Sequence, residues 1–270
     1  MRWSNVLRGL LMGVCDLIPG VSGGTVAVVL GIYDELLAAV GGFLSREWRR
    51  HVAFLLPLGV GIAAALLLFS RAIDYLLEHH FVPIQLFFMG LILGVLPMLW
   101  RRSGARRAFG PGHFAVMGAA AAAVAALAFI HPDRAAQPDV SLSAARAAGL
   151  FLSGAAAAVA MLLPGISGSF VLLVLGVYPT AIHALATLHV PLMAVIGGGV
   201  ATGLIAGSKL ISGLLSRWPT ATYAAIIGLI IGSVFVVFPG FGTPAETAAG
   251  TVTFVAGFAL AAFFGRHHRD

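Results

Sequence analysis

Charge is what this chain has least of. Of its 270 residues only 10% are charged and 60% are hydrophobic, with a mean hydropathy of +1.00; a soluble domain carries about 25% charged residues. That shortage excludes a water-soluble globule, because so much apolar surface cannot be hidden from water and lipid must be the solvent. The chain reads as an all-α polytopic membrane protein. Cysteine is nearly absent as well: Cys15 stands alone, which excludes an internal disulfide and a multi-cysteine metal site. Lysine occurs once, at Lys209, and every other basic side chain is arginine. The net charge of +6 and pI of about 10.4 would point to nucleic acid in a soluble protein. In a lipid-embedded one they point to loops that orient the chain and touch anionic headgroups, so no nucleic-acid partner is expected.

The chemical motifs of enzymes are missing too. The nine histidines show no HExxH or other ligand spacing, so no metal is expected. No GxSxG, Walker loop or GxGxxG occurs in a suitable context, and the ten acidic residues are too scattered for carboxylate-pair hydrolysis. The chain is not expected to be an enzyme or to carry a cofactor. The opening MRWSNVLRGLLMGVCDLIPG has no small-residue cleavage site and is expected to belong to the mature protein.

What the sequence does have is a repeat. LIPGVSGGTVAVVLGIY (17–33) lies over LLPGISGSFVLLVLGVY (162–178), and SRAIDYLLEHHFVPIQLFFMGLILG (70–94) lies over SKLISGLLSRWPTATYAAIIGLIIG (208–232) without a gap. Pro19, Ser22, Gly31 and Tyr33 fall on Pro164, Ser167, Gly176 and Tyr178; Arg71 falls on Lys209, Gly90 on Gly228 and Gly94 on Gly232. Segments 114–129 and 251–265 match in character only. Two blocks in the same order indicate a tandem duplication. Repeat one covers 1–133 and repeat two 139–270 of a single membrane domain, meeting in the polar stretch 131–146.

Each repeat offers one segment broken by the PG motif, at about 4–40 and 147–185, and three uninterrupted apolar segments. The latter lie at about 52–70, 84–100 and 113–130, then 190–208, 222–238 and 249–265, each close to the roughly 20 residues that a spanning helix needs. The basic residues decide between a broken segment that crosses and one that returns. If both return, 13 basic residues share a side with the termini and 3 lie opposite; if both cross once, the split is 9 against 7. The positive-inside rule favours the first arrangement, with both termini and loops 46–51 and 101–107 cytoplasmic and 131–146 and 180–189 external. Each broken segment is then a helical hairpin, re-entrant or fully spanning, and each half crosses an odd number of times. The second half therefore sits upside down relative to the first, an inverted repeat with broken helices of the kind used by transporters. The sequence leaves six crossings and eight equally open.

Pro19 and Pro164 stop a helix, and unpaired backbone survives at membrane depth only where protein or a cavity covers it. Helices restarting at about 22–25 and 167–170 would turn free N–H groups inward. Gly20, Ser22, Gly23, Gly24, Thr25, Gly165, Ser167, Gly168 and Ser169 thus form a set of donors suited to an oxyanion, phosphate best of all. The competing reading is a tight turn where two helices pack. Arg71 and Lys209, each just past a long apolar run, either meet that phosphate or snorkel to the headgroups. Asp16 precedes the first loop and its counterpart is Met161. It is read either as a carrier of a coupling H⁺ or Na⁺ or as a helix cap or ion-pair partner of Arg71.

PGVSGGT followed by LGIY, then PGISGSF followed by LGVY, closely resembles a bacterial membrane family regarded as polyprenyl-phosphate transporters, once filed as a domain of unknown function. The likeness covers nearly the whole chain. The resemblance implies a C55 lipid carrier, undecaprenyl phosphate, returned from the outer to the cytoplasmic leaflet of the bacterial plasma membrane for reuse in cell-envelope polymer synthesis. It also implies that motif residues 16–25 and 164–170, with Arg71 and Lys209, handle the headgroup. The departure of Ser169–Phe170 from Gly24–Thr25 suggests unequal work by the two loops. The alternative from another class is a transporter or channel for a small inorganic anion, which needs an aqueous path where a flippase needs a lateral opening.

Overall fold

The computed structural model describes residues 3–17, 22–130 and 138–267, with side chains through 265. Among them every regular element is helical. The first half contains α1 (Ser4–Asp16), α2 (Gly23–Val29), α3 (Tyr33–Gly41), α4 (Trp48–His79), α5 (Phe81–Arg102), the short α6 (Ala105–Ala108) and α7 (Pro111–Ala126), which tightens into a 3₁₀ turn at Leu127–Phe129. The second contains α8 (Ala144–Leu162), α9 (Gly168–Val174), α10 (Tyr178–Ala186), α11 (Val190–Arg217), α12 (Pro219–Val237) and α13 (Pro244–His267).

Among the described residues seven helices are long and apolar enough to cross a membrane: α4, α5, α7 with its 3₁₀ turn, α8, α11, α12 and α13. The chain is a multi-pass membrane protein, and large side chains such as Leu67, Leu68, Val252 and Phe263 stand exposed on its outer surface, where lipid is the solvent. Helix α8 belongs to the broken segment of the second half, yet its 19 residues suffice for a crossing by themselves. Helix α4 runs 32 residues without interruption through Arg71 to His79. At 1.5 Å per residue it is about 48 Å long, well beyond the roughly 30 Å hydrocarbon core. Helices α9 and α10 meet at 114° across a short break.

The two halves repeat one packing scheme. Helix α1 packs on α4 as α8 packs on α11. A Cβ on Gly9 would collide with the backbone of Leu58, and one on Gly154 with that of Ile196; Gly61 and Gly199 are pressed in the same way onto Val6 and Phe151. Small residues let membrane helices approach to backbone contact, where dispersion replaces the hydrophobic drive that lipid removes. The remaining long helices pair across the halves: α5 packs on α13 and α12 on α7. Here Gly90 and Gly94 meet Phe254 and Phe258, and their counterparts Gly228 and Gly232 meet Met117 and Ala121. Thr253 Oγ1 adds a hydrogen bond to the Pro83 carbonyl at 2.6 Å.

The hairpins break this correspondence. All of α2 is buried, and α3 packs on α11 of the other half, whereas in α9 only Gly168 is buried. Val26–Leu30, Tyr33 and Leu37 join the main core with Phe88, Ile92 and Ile230; the second hairpin contributes Leu162 to it and otherwise centres on a smaller cluster of its own around Leu150, Val177 and Leu192. The first broken segment is central and the second peripheral.

Candidate functional site

The two PG loops touch. Thr25 Oγ1 accepts the Gly165 N–H at 2.9 Å, and Ser22 Oγ donates to the Met161 carbonyl at 3.3 Å. Tyr33, which closes the first motif, donates its hydroxyl to the Leu162 carbonyl at 2.9 Å. Met161 and Leu162 are the last two residues of α8, whose terminal carbonyls have no partner within the helix. Side chains of the first loop thus complete the end of a helix in the second half. Gly165 adopts φ +91°, and a Cβ there would lie 2.8 Å from the Leu229 carbonyl of α12; both the dihedral and the space require glycine.

Loop one is closed. Ser22, Gly23, Gly24 and Thr25 are all buried. Ser22 caps α2 by accepting the Gly24 N–H at 3.2 Å, and Asp16 Oδ1 accepts the Gly23 N–H at 2.7 Å. A carboxylate of the chain itself therefore occupies the start of α2, where the sequence suggests a phosphate. Asp16 as a residue keeps an exposed surface, while its Oδ1 is held by the loop. It has no ion pair with Arg71.

Loop two is open. Met161 stands where Asp16 would be and offers no carboxylate. No side chain caps α9; the Ser167 and Ser169 hydroxyls pair with each other at 2.9 Å. Gly165, Ile166, Ser167 and Phe170 face a crevice of about 10 Å³, closed on its far side by Val124 and Leu127 at the end of α7 and by Val236 of α12. That volume is about the least that accommodates one water, so a phosphate would enter only if these helices part.

Pro19 and Gly20 lie outside the described residues. Arg71 and Lys209 are exposed on α4 and α11, and neither makes a hydrogen bond or ion pair with a described residue. The Lys209 stem runs beside the end of α3: a Cβ on Gly41 would lie 3.3 Å from its Cγ. The structure brings the described parts of the two loops and Asp16 together and bonds neither cation to them. Among the described residues no three His, Cys, Asp or Glu side chains converge as a metal site would require.

Sequence reasoning missed the Tyr33 bond and the role of the α8 carbonyls, because both depend on which helix end lies opposite the loop. It also missed a cavity of about 830 Å³ between α5, α6, α7, α12 and α13, lined by apolar side chains with Arg101, Arg106 and Arg107. The run of arginines was visible only as a topology signal.

A family model described as undecaprenyl phosphate translocase-like matches residues 12–254. A polyprenyl-phosphate transporter of Staphylococcus aureus is 38% identical over 273 aligned residues, covering 98% of this chain and 96% of the relative. A polyprenyl-phosphate transporter of Vibrio cholerae is 34% identical over 262, covering 87% and 77%. No solved structure matches the chain significantly. The match spans both PG loops from before Asp16 to within α13, and on that ground this chain belongs to the undecaprenyl phosphate translocase-like family.

Proposed function

We propose that the chain is a flippase for a polyprenyl phosphate of the undecaprenyl class, carrying it from the outer to the cytoplasmic leaflet of the bacterial plasma membrane for reuse in envelope synthesis. The names of its relatives support the lipid, and the contact between the loops carries the mechanism. A charged group at the centre of a membrane helix costs about 2.5–3.5 kcal/mol even on the lenient insertion scale, so covering the headgroup is the central task while the isoprenoid tail stays in lipid. Two loops that meet through Thr25 and Gly165 and belong to opposite halves provide a cover that can part on one side at a time. In this reading the halves are inverted and both termini are cytoplasmic.

The unequal state of the loops supplies an order of events. The Ser167–Ser169 hydroxyls of the uncapped loop receive the phosphate first, once the helices that close its crevice part. Loop one accepts it only when Asp16 releases the Gly23 N–H, since two anions cannot share that donor. Protonation of Asp16 is the simplest release and would couple transport to H⁺. Arg71 and Lys209 neutralise the headgroup on its way to and from the loops.

The test is reconstitution in liposomes with a fluorescent short-chain polyprenyl phosphate, following loss of its outer-leaflet signal. Protein-dependent, saturable flipping that inorganic phosphate does not compete away supports the proposal. Inorganic phosphate flux without lipid flipping would instead make the protein a small-anion transporter.

A further inference from the structure

We propose that the cavity between α5, α6, α7, α12 and α13 is a second lipid-phosphate site, built for a phosphate monoester on one long apolar chain and separate from the PG loops. The inference rests on the polyprenyl-phosphate reading above for its substrate, and on the cavity for its place. The cavity holds about 830 Å³, within the range of about 300–1,000 Å³ typical of ligand sites. Its walls are Leu93, Leu96, Met117, Ile227, Ile231 and Phe258, drawn from four helices that are otherwise tightly packed. One end is different. Gly104, at φ +63°, turns the chain sharply after α5, so that Arg106 and Arg107 of α6 face the same opening as Arg101 in the last turn of α5. All three arginines are exposed, and none pairs with a described acidic residue. Trp100 lines the same end and packs edge-on against Phe109 at 5.4 Å, an aromatic pair placed as membrane-interface anchors are.

Arginines at a helix end are ordinary topology signals, and these would serve as such with no cavity beside them. The corner that corresponds in the other half shows the difference. There the smaller cavity of about 260 Å³ near the end of α12 is lined by Phe238, Gly240, Phe241, Thr247 and Thr251 and has no basic side chain. Duplication therefore accounts for a hollow at each corner but not for the threefold size or the cationic mouth of one. Three guanidinium groups suit a phosphate monoester, which carries about 1.5–2 negative charges at neutral pH, better than a phosphodiester with one. Each guanidinium can also take two phosphate oxygens at once. A single trough behind them takes one chain. Since α12 separates this cavity from loop two, with Ile227 and Ile231 on one side and Leu229 against Gly165 on the other, the same helix borders both sites. A lipid released from the loops has this arginine-rimmed cavity as its next station, on the face to which the basic loops are assigned.

The experiment uses the full chain in nanodiscs with a photoreactive short-chain polyprenyl monophosphate, mapping labelled peptides by mass spectrometry. Labelling is expected in the segments around Met117 and Phe258. The double variant Arg106→Gln with Arg107→Gln, at two exposed positions of α6, should weaken labelling there by roughly ten-fold or more, because charge-assisted bonds are lost without a core change. The uncharged polyprenol should label weakly, and phosphatidylglycerol should compete poorly. Equal labelling of wild type and the double variant would overturn the proposal, and so would full competition by phosphatidylglycerol, which would mark a general anionic-lipid site. Ser167→Ala with Ser169→Ala separates this proposal from the transport reading. Lost flipping with intact cavity labelling supports two distinct sites, whereas intact flipping in that variant would count against the loops alone.

Discussion

Thr25 Oγ1 holds the Gly165 N–H at 2.9 Å, so a side chain of the first PG loop satisfies the backbone of the second. Thr25→Val keeps the shape and removes the acceptor. Leaving that buried N–H without a partner should cost about 1–3 kcal/mol, read as a lowered Tm in detergent, while Thr25→Ser should recover most of it. If the bond also closes the site, Thr25→Val will raise the leak of labelled lipid in liposomes as well.

Gly23 and Gly168 are expected to differ in how they fail. A Cβ on Gly23 would meet the Asp16 carboxylate oxygens at 2.8 Å, whereas on Gly168 it would meet the Ala157 backbone carbonyl at 2.8 Å. The Asp16 side chain can move; the α8 backbone cannot without shifting the helix. Gly23→Ala should therefore insert normally and lose transport, and Gly168→Val should lose both transport and thermal stability. Equal Tm values for the two variants would contradict this packing.

Asp16→Asn keeps an oxygen able to accept from Gly23 and removes the charge. Expected is a folded protein whose lipid flipping no longer responds to an imposed proton gradient. Persistence of the wild-type response would leave Asp16 as a helix cap and nothing more.

Arg71→Gln and Lys209→Gln each remove an exposed cation with no described partner. Loss of one ionic hydrogen bond to phosphate, about 1.5–3 kcal/mol, should weaken short-chain polyprenyl phosphate by roughly ten- to a hundred-fold. Arg71→Lys should retain part of the affinity, since a point charge still binds phosphate without the fork. Unchanged affinity in both Gln variants would assign these residues to the headgroup region instead.

Sidedness is checked by labelling. In a Cys15→Ser background, Trp48→Cys should react from the cytoplasm and Pro138→Cys from outside. Reaction of both from one face would remove the inverted arrangement and the direction proposed for the lipid.

The sequence by itself determined the class of the molecule and where its exceptional residues lie. Low charge forces lipid as solvent, and the doubled PG-S-G motif marks two breaks in helices at matching positions. These are local or compositional properties, so they survive without coordinates. Even the weak likeness between 114–129 and 251–265 left a trace, since Met117 and Phe254 receive the equivalent glycines Gly228 and Gly90. Helix partners were another matter. In a soluble protein the apolar face of a helix points to its neighbour, but in lipid nearly every face is apolar and hydropathy cannot choose between neighbours. Only the tertiary structure decided that α5 pairs with α13 and α12 with α7 across the halves. It alone decided that Asp16 binds the start of α2 while α9 has no side-chain cap, and that Arg101, Arg106 and Arg107 share the mouth of one cavity. Each of these depends on distances between segments far apart in the chain, set by close packing of surfaces whose composition is almost uniform.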